Sequence, residues 1–118
     1  MRRAEAIGRL AGPGPKKVLE LGCGSGLVSA GIASLGHTVV ALDITPEAAA
    51  SARRVAAEVP DGRMSVVEGD FFEVDLPEDF DVVCYFDGSG IGSDADQRRL
   101  LRRIAGWLGK GGCATIDV

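Results

Sequence analysis

The sequence predicts a three-layer α/β sandwich around a mostly parallel sheet. Two patterns predict it. Five short runs rich in Val, Leu and Ile, at 17–21, 39–43, 64–68, 80–86 and 113–118, lack the alternation of a strand with one wet face, so each is buried on both faces. Helical or crossover segments separate them, as parallel strands require. A doubly wound, Rossmann-like sheet satisfies both patterns.

Residues 2–11 read as a helix stopped by Gly12-Pro13-Gly14-Pro15. The first strand, Lys17-Val18-Leu19-Glu20-Leu21, runs into Gly22-Cys23-Gly24-Ser25-Gly26, and a helix starts near Ser25 or Gly26. That helix carries Leu27, Ala30, Gly31, Ala33 and Leu35, small and apolar enough to lie on a sheet, and Gly36 suits its end. His37 opens the next turn, and its place at the helix end predicts a surface residue. After the second strand, Thr45-Pro46-Glu47 sets a capping hydroxyl, a first-turn proline and a first-turn acid in the preferred order, for a helix reaching about Val59. Pro60-Asp61-Gly62 breaks the chain before the third strand.

The connection from Gly69 to Asp79 is short for a crossover, so any helix in it is short or irregular. The fourth strand leads through Asp87-Gly88-Ser89-Gly90-Ile91-Gly92 to Ser93, whose spacing to Asp96 predicts a capping box. Leu100, Ile104, Trp107 and Leu108 form one apolar stripe on the helix that follows, with Arg98, Arg99, Arg102 and Arg103 on the rest of its surface. Gly111-Gly112 is expected to end that helix before the last strand.

At 118 residues the chain has room for one domain, 1–118, and none for a second catalytic module. No apolar run approaches the roughly 20 residues of a membrane span, and the first ten residues lack the apolar core of a signal peptide, so the expectation is a soluble cytoplasmic protein. Thirteen Lys and Arg against seventeen Asp and Glu give a net charge of −4, the wrong sign for a domain that grips nucleic acid through its phosphates. Cys23, Cys84 and Cys113 lack the paired spacing of a zinc or redox motif and read as buried reduced thiols, with no metal site.

Function is signalled by where the carboxylates fall. Glu20, Asp43, Asp70 and Asp87 lie at or just beyond the carboxyl ends of the first four strands, the edge where ligands bind in an open parallel sheet. Glu20 interrupts an apolar strand, where an uncompensated carboxylate costs several kcal/mol. Its partner is either a backbone N–H or lysine nearby, or the ammonium of a ligand; the adjacent glycine loop favours the ammonium. Gly22, Gly24 and Gly26 let the backbone approach a ligand and turn into a helix whose first N–H groups face the site. Asp43 follows about twenty residues after the loop begins, where a carboxylate accepts ribose hydroxyls; the plainer reading is a surface or helix-capping acid. Asp70 could accept from an exocyclic amine and Phe71 pack on a purine, against the plainer reading of a turn acid and a core aromatic. Asp81, at the opposite end of its strand, reads as structural.

These residues resemble a known family. Val18 to Gly26 is similar to the first motif of class I S-adenosylmethionine-dependent methyltransferases, Asp43 to the ribose-binding acid, Glu68-Gly69-Asp70-Phe71 to the adenine-edge motif, and Phe80-Asp81-Val82-Val83 through Asp87 to the fourth-strand motif. Leu108-Gly109-Lys110-Gly111-Gly112 resembles the turn before strand five, although Lys110 stands where that turn has a proline. The resemblance covers the chain from Lys16 onward. It implies strand order 3-2-1-4-5 and a site for S-adenosylmethionine, with product S-adenosylhomocysteine. Gly22, Cys23, Gly24, Gly26 and Ile44 would line the cofactor, Glu20 meet its ammonium, Asp43 its ribose, Asp70 and Phe71 its adenine, and Asp87 its methionine part. The acids suit a cationic cofactor, whereas Glu20 would repel the pyrophosphate of a NAD-binding domain, and Leu27 stands where that motif has its last glycine.

Methyl transfer is an in-line displacement served by alignment and desolvation, so no catalytic base is named. The family's sheet has two further strands. Their absence implies a fragment, with strand five an apolar edge that would pair in a homodimer directly or by element exchange. A small-molecule acceptor is favoured over nucleic acid by the acidic charge. A cofactor-binding module without turnover is the alternative.

Overall fold

The computed structural model describes residues 2–86 and 92–116, with side chains from Glu5 onward. In chain order it contains α1 (Arg2–Ala11), β1 (Lys17–Leu21), α2 (Leu27–Ser34), β2 (Thr38–Asp43), α3 (Pro46–Ala56), a 3-10 turn (Pro60–Gly62), β3 (Met64–Glu68), β4 (Phe80–Tyr85), α4 (Asp94–Trp107) and β5 (Leu108–Ile116). The strands form one sheet in the order β3-β2-β1-β4-β5, and every neighbouring pair is parallel.

Alternate residues of the strands feed two cores. Val18, Val39, Ala41, Val82 and Cys84 point to the side of α1, α2 and α3, where they meet Ile7, Ile32, Ala33 and Ala52. Leu19, Leu21, Leu42, Phe80 and Val83 point the other way, onto Leu100, Ile104 and Trp107 of α4. The central strands are therefore dry on both faces, which is why they show no polar alternation, whereas the edge strands β3 and β5, expected to be buried on both faces, are partly exposed. On the α4 side the connection from β3 to β4 contributes Phe71, Phe72, Val74 and Leu76 as a turn and extended chain in place of a second helix.

Local signals act as their chemistry predicts. Thr45 caps α3 by accepting from the Ala48 N–H, with Pro46 in the first turn. Ser93 and Asp96 form a reciprocal capping box at the start of α4. Asp81 is structural: its carboxylate accepts the Lys17 N–H at 2.8 Å, at the amino end of the sheet.

Three expectations are corrected. Helix α3 stops at Ala56 rather than near Val59, because the chain turns through Val59 into Pro60, which cannot extend a helix. Helix α4 stops at Trp107 rather than at Gly111, and β5 starts at once with Leu108 beside Phe80. A register irregularity follows before Cys113 pairs with Val82. A side chain at Gly112 would stand 2.9 Å from the Phe80 carbonyl, so Gly112 lets the strand run close to β4 rather than breaking it.

His37 is the third correction, since it is only 6% exposed and its Nδ1 accepts the Lys16 N–H at 3.0 Å. Burial, then the charge of Lys16, holds its pKa below the ordinary histidine value. The unfolded chain therefore takes up a proton at higher pH than the folded chain. Stability is complete above the unfolded pKa of about 6.5 and declines as pH falls below it. His37 is the sole histidine, so the urea midpoint should drop between pH 7 and 5.5, and His37→Leu should flatten that slope. An equally steep decline in the variant would assign it to another group.

Candidate functional site

The carboxyl ends of four strands converge on one cavity of about 290 Å³, lined by Gly22, Leu42, Asp43, Ile44, Gly69, Asp70, Phe71 and Tyr85. Leu21 is paired with Leu42, and Asp43 with Glu68, so the loops leaving β1, β2 and β3 start at one level. Backbone bonds then tie them together: the Cys23 N–H donates to Leu42 O at 3.0 Å and the Gly69 N–H to Asp43 O at 2.9 Å.

Asp43 organises the loop side. Its Oδ2 accepts the Gly24 N–H at 2.9 Å, and its Oδ1 accepts the Thr45 N–H at 3.0 Å and the Thr45 hydroxyl at 3.1 Å. One carboxylate thus fixes the glycine loop on one hand and the entry to α3 on the other. A carboxylate has about four lone-pair positions, and these bonds use three.

The loop glycines differ in what they do. Gly26, with φ +88°, lies where a Cβ would stand 2.9 Å from Cα and Cβ of Ala52 and 3.0 Å from the Met64 methyl, so it lets α2 and α3 pack. Gly24, with φ +54°, has nothing within 4 Å of the corresponding point. Its side facing away from the chain is open, so the backbone there is accessible. Gly22 stands between them in character: a Cβ there would meet the Tyr85 ring at 3.2 Å.

Glu20 is brought near the loop but not into the cavity. It is 3% exposed, and the Ser29 hydroxyl of α2 donates to its Oε1. That hydroxyl is a partner the sequence reading did not name. Cys23 is also turned inward, into the α2 side of the core, so toward a ligand it offers backbone rather than thiol. Burial, with Glu20 and Asp43 nearby, pushes the Cys23 thiol up to about 12, and burial likewise raises Cys84. Iodoacetamide at pH 8 should therefore modify half-buried Cys113 in the folded chain and leave Cys23 and Cys84 intact until urea is added. Peptide mass spectrometry reads this directly, and early labelling of Cys23 would show the loop to be open.

On the opposite wall Asp70 Oδ1 accepts the Phe72 N–H at 2.8 Å, which sets the turn that presents Phe71 to the cavity. The rings of Phe71 and Tyr85 meet edge-on, with centroids 5.6 Å apart. Of the residues read from sequence, Gly22, Asp43, Ile44, Asp70 and Phe71 share the cavity. Glu20, Cys23 and Gly26 lie behind it, Gly24 bonds to its Asp43 wall, and Asp87 lies outside the described residues. Leu42, Gly69 and Tyr85 line the cavity without having been assigned to it. For Tyr85 the signal was available, since it ends the strand paired with β1. Among the described residues no group of His, Cys, Asp and Glu could hold a metal ion, and no helix is long and apolar enough to cross a membrane.

A parallel sheet of order 3-2-1-4-5 with a glycine loop after β1 and an acid ending β2 is a Rossmann-like arrangement, and it matches solved methyltransferases. Residues 18–112 match a family model described as a methyltransferase domain, and the chain belongs to that family. It is 34% identical over 104 residues to the cypemycin N-terminal methyltransferase of a Streptomyces species, covering 86% of this chain and 41% of that protein. It is 40% identical over 70 residues to the mitochondrial ubiquinone biosynthesis O-methyltransferase of Schizosaccharomyces pombe, covering 58% of this chain and 26% of that protein. The crystal structure of the glycopeptide N-methyltransferase MtfA complexed with S-adenosyl-L-methionine superposes with TM-score 0.82 at 30% identity, over 96% of this chain and 51% of that one. The chain thus spans about half the length of these proteins or less.

Proposed function

We propose that the chain binds S-adenosylmethionine at the carboxyl edge of the sheet and serves methyl transfer to a small acceptor carrying a nitrogen or oxygen nucleophile. The observation that carries this reading is that Gly22, Asp43, Ile44, Asp70 and Phe71 share one cavity of about 290 Å³ at that edge. That volume is near the lower end of small-molecule sites, roughly 300–1,000 Å³, and fits a nucleoside better than a dinucleotide. When bound, the cofactor supplies a methyl group activated by a sulfonium. The residues present fit it: Asp43 has a lone-pair position left for a ribose hydroxyl, Asp70 accepts from the adenine amine, and Phe71 and Tyr85 offer ring surface to the base. Gly24 gives the cofactor access to backbone, and Glu20 acts on its ammonium from behind the loop, through the field of its carboxylate. Alignment and exclusion of water do the rest, and no residue is assigned as a base.

A small acceptor is supported by the net charge of −4, which disfavours polyphosphate partners, and by relatives named for ubiquinone biosynthesis and for glycopeptide methylation. A reducing, cytoplasmic setting suits cysteines that remain thiols. Strand β5 pairs with β4 on one side, and we assign its other edge to a homodimer contact. Transfer of labelled methyl from S-adenosylmethionine to a panel of small amines and phenols tests the activity; transfer to RNA but to no small acceptor would overturn the assignment. Light scattering should give twice the chain mass, and a concentration-independent monomer would remove the dimer.

A further inference from the structure

The wall that carries Asp70 and Phe71 is not held by its own secondary structure. After β3 the chain makes one turn, closed by the Glu73 and Val74 N–H groups on Asp70 O at 2.9 and 2.8 Å, and then runs extended toward β4. Its outward carbonyls have no helix of their own to serve. Helix α4 serves them instead. Arg103 Nε donates to Phe71 O at 2.6 Å, and Arg103 Nη2 donates to Val74 O. One turn earlier, Arg99 donates to Phe72 O at 3.3 Å, with its guanidinium 4.6 Å from the centre of the Phe72 ring. Arg103 is itself steadied, lying half-buried with its guanidinium 5.0 Å from the centre of Trp107.

We infer that Arg103 is a positioning residue for base recognition: it fixes the Phe71 carbonyl, and through it the placement of Asp70 and Phe71 against the adenine. This rests on the cofactor reading above. A planar guanidinium grips two carbonyls at once, whereas a lysine ammonium is a single point charge, so the geometry requires arginine. Loosening the turn should blunt the interaction of Asp70 with the exocyclic amine while leaving Asp43 and the glycine loop, on the far side of the cavity, as they are.

The test compares S-adenosylhomocysteine with S-inosylhomocysteine, in which an oxygen replaces that amine, by calorimetry on the full chain. Wild type should prefer the adenine ligand. Arg103→Ala should weaken S-adenosylhomocysteine roughly tenfold and S-inosylhomocysteine far less, so the preference collapses, while Arg102→Ala, exposed on the same helix, leaves it intact. Arg103→Lys should fall between, and it carries the test if the alanine variant does not fold. A merely structural role would weaken both ligands in equal proportion, and that result, or an unchanged preference, overturns the inference alone. Wild type binding neither ligand overturns the cofactor reading and the inference with it.

Discussion

Asp43→Ala should weaken S-adenosylhomocysteine binding by ten- to a hundredfold and lower the stability of the unliganded chain as well. Both effects follow from one carboxylate. In the free protein it holds the Gly24 N–H, the Thr45 N–H and the Thr45 hydroxyl. Hydrogen bonds to a charged acceptor contribute about 1.5–3 kcal/mol when partly shielded from water, and each 1.4 kcal/mol is a factor of about ten in affinity. The loop would lose its anchor and the ligand a ribose acceptor. Two controls separate these losses. Thr45→Ala removes the α3 cap, at about 1 kcal/mol of stability, but leaves Asp43 on Gly24 and should keep most of the affinity. Asp43→Asn preserves shape while turning one accepting atom into a donor that opposes Gly24 or Thr45, so it should rescue little. Full affinity in Asp43→Ala would remove Asp43 from the site.

A second large effect divides the glycine loop between packing and binding. Gly26→Val should destabilise the chain by about 2–5 kcal/mol, combining a left-handed backbone penalty of about 1–2 kcal/mol with overpacking of about 1–3 kcal/mol. The clash is with Cα and Cβ of Ala52 as well as Met64, and backbone cannot swing aside as a side-chain tip can. The melting temperature should fall by about 10 °C or more. Gly24→Ala meets no atom within 4 Å and carries only the backbone penalty, so its melting temperature should fall by a few degrees. Its cofactor affinity should fall much further, because the new methyl would project into the space read as the ligand's. If Gly24→Ala bound S-adenosylhomocysteine like wild type, that space would belong to solvent.

What the sequence made legible was what neighbours in the chain decide. Residues 17–21 read as a strand because their own composition buries both faces, and Ser93 with Asp96, or Thr45 with Pro46, carry their helix starts within a few positions. Asp43 was legible because strand ends in a parallel sheet meet at one edge. Tertiary partners were not. His37 follows a glycine and looks like a turn residue, and only the Lys16 N–H, 21 positions away, explains its burial. Glu20 announced that something must compensate it, but Ser29 belongs to the next helix and shows no local sign of the contact. Gly26 reads like Gly24 until α3 is placed against it. Arg103 reads as a solvated helix face until the β3–β4 turn is seen to need its guanidinium.

The cavity above Asp43 should take an adenosyl sulfur nucleoside and not a dinucleotide. Calorimetric titration of the chain with S-adenosylhomocysteine, run beside NAD, tests it most directly. S-adenosylhomocysteine should bind saturably and one to one, and NAD not at all at the same concentrations, since a pyrophosphate would meet the field of Glu20 behind the glycine loop. Binding of NAD in preference, or binding of neither by a chain whose circular dichroism shows it folded, would contradict the account.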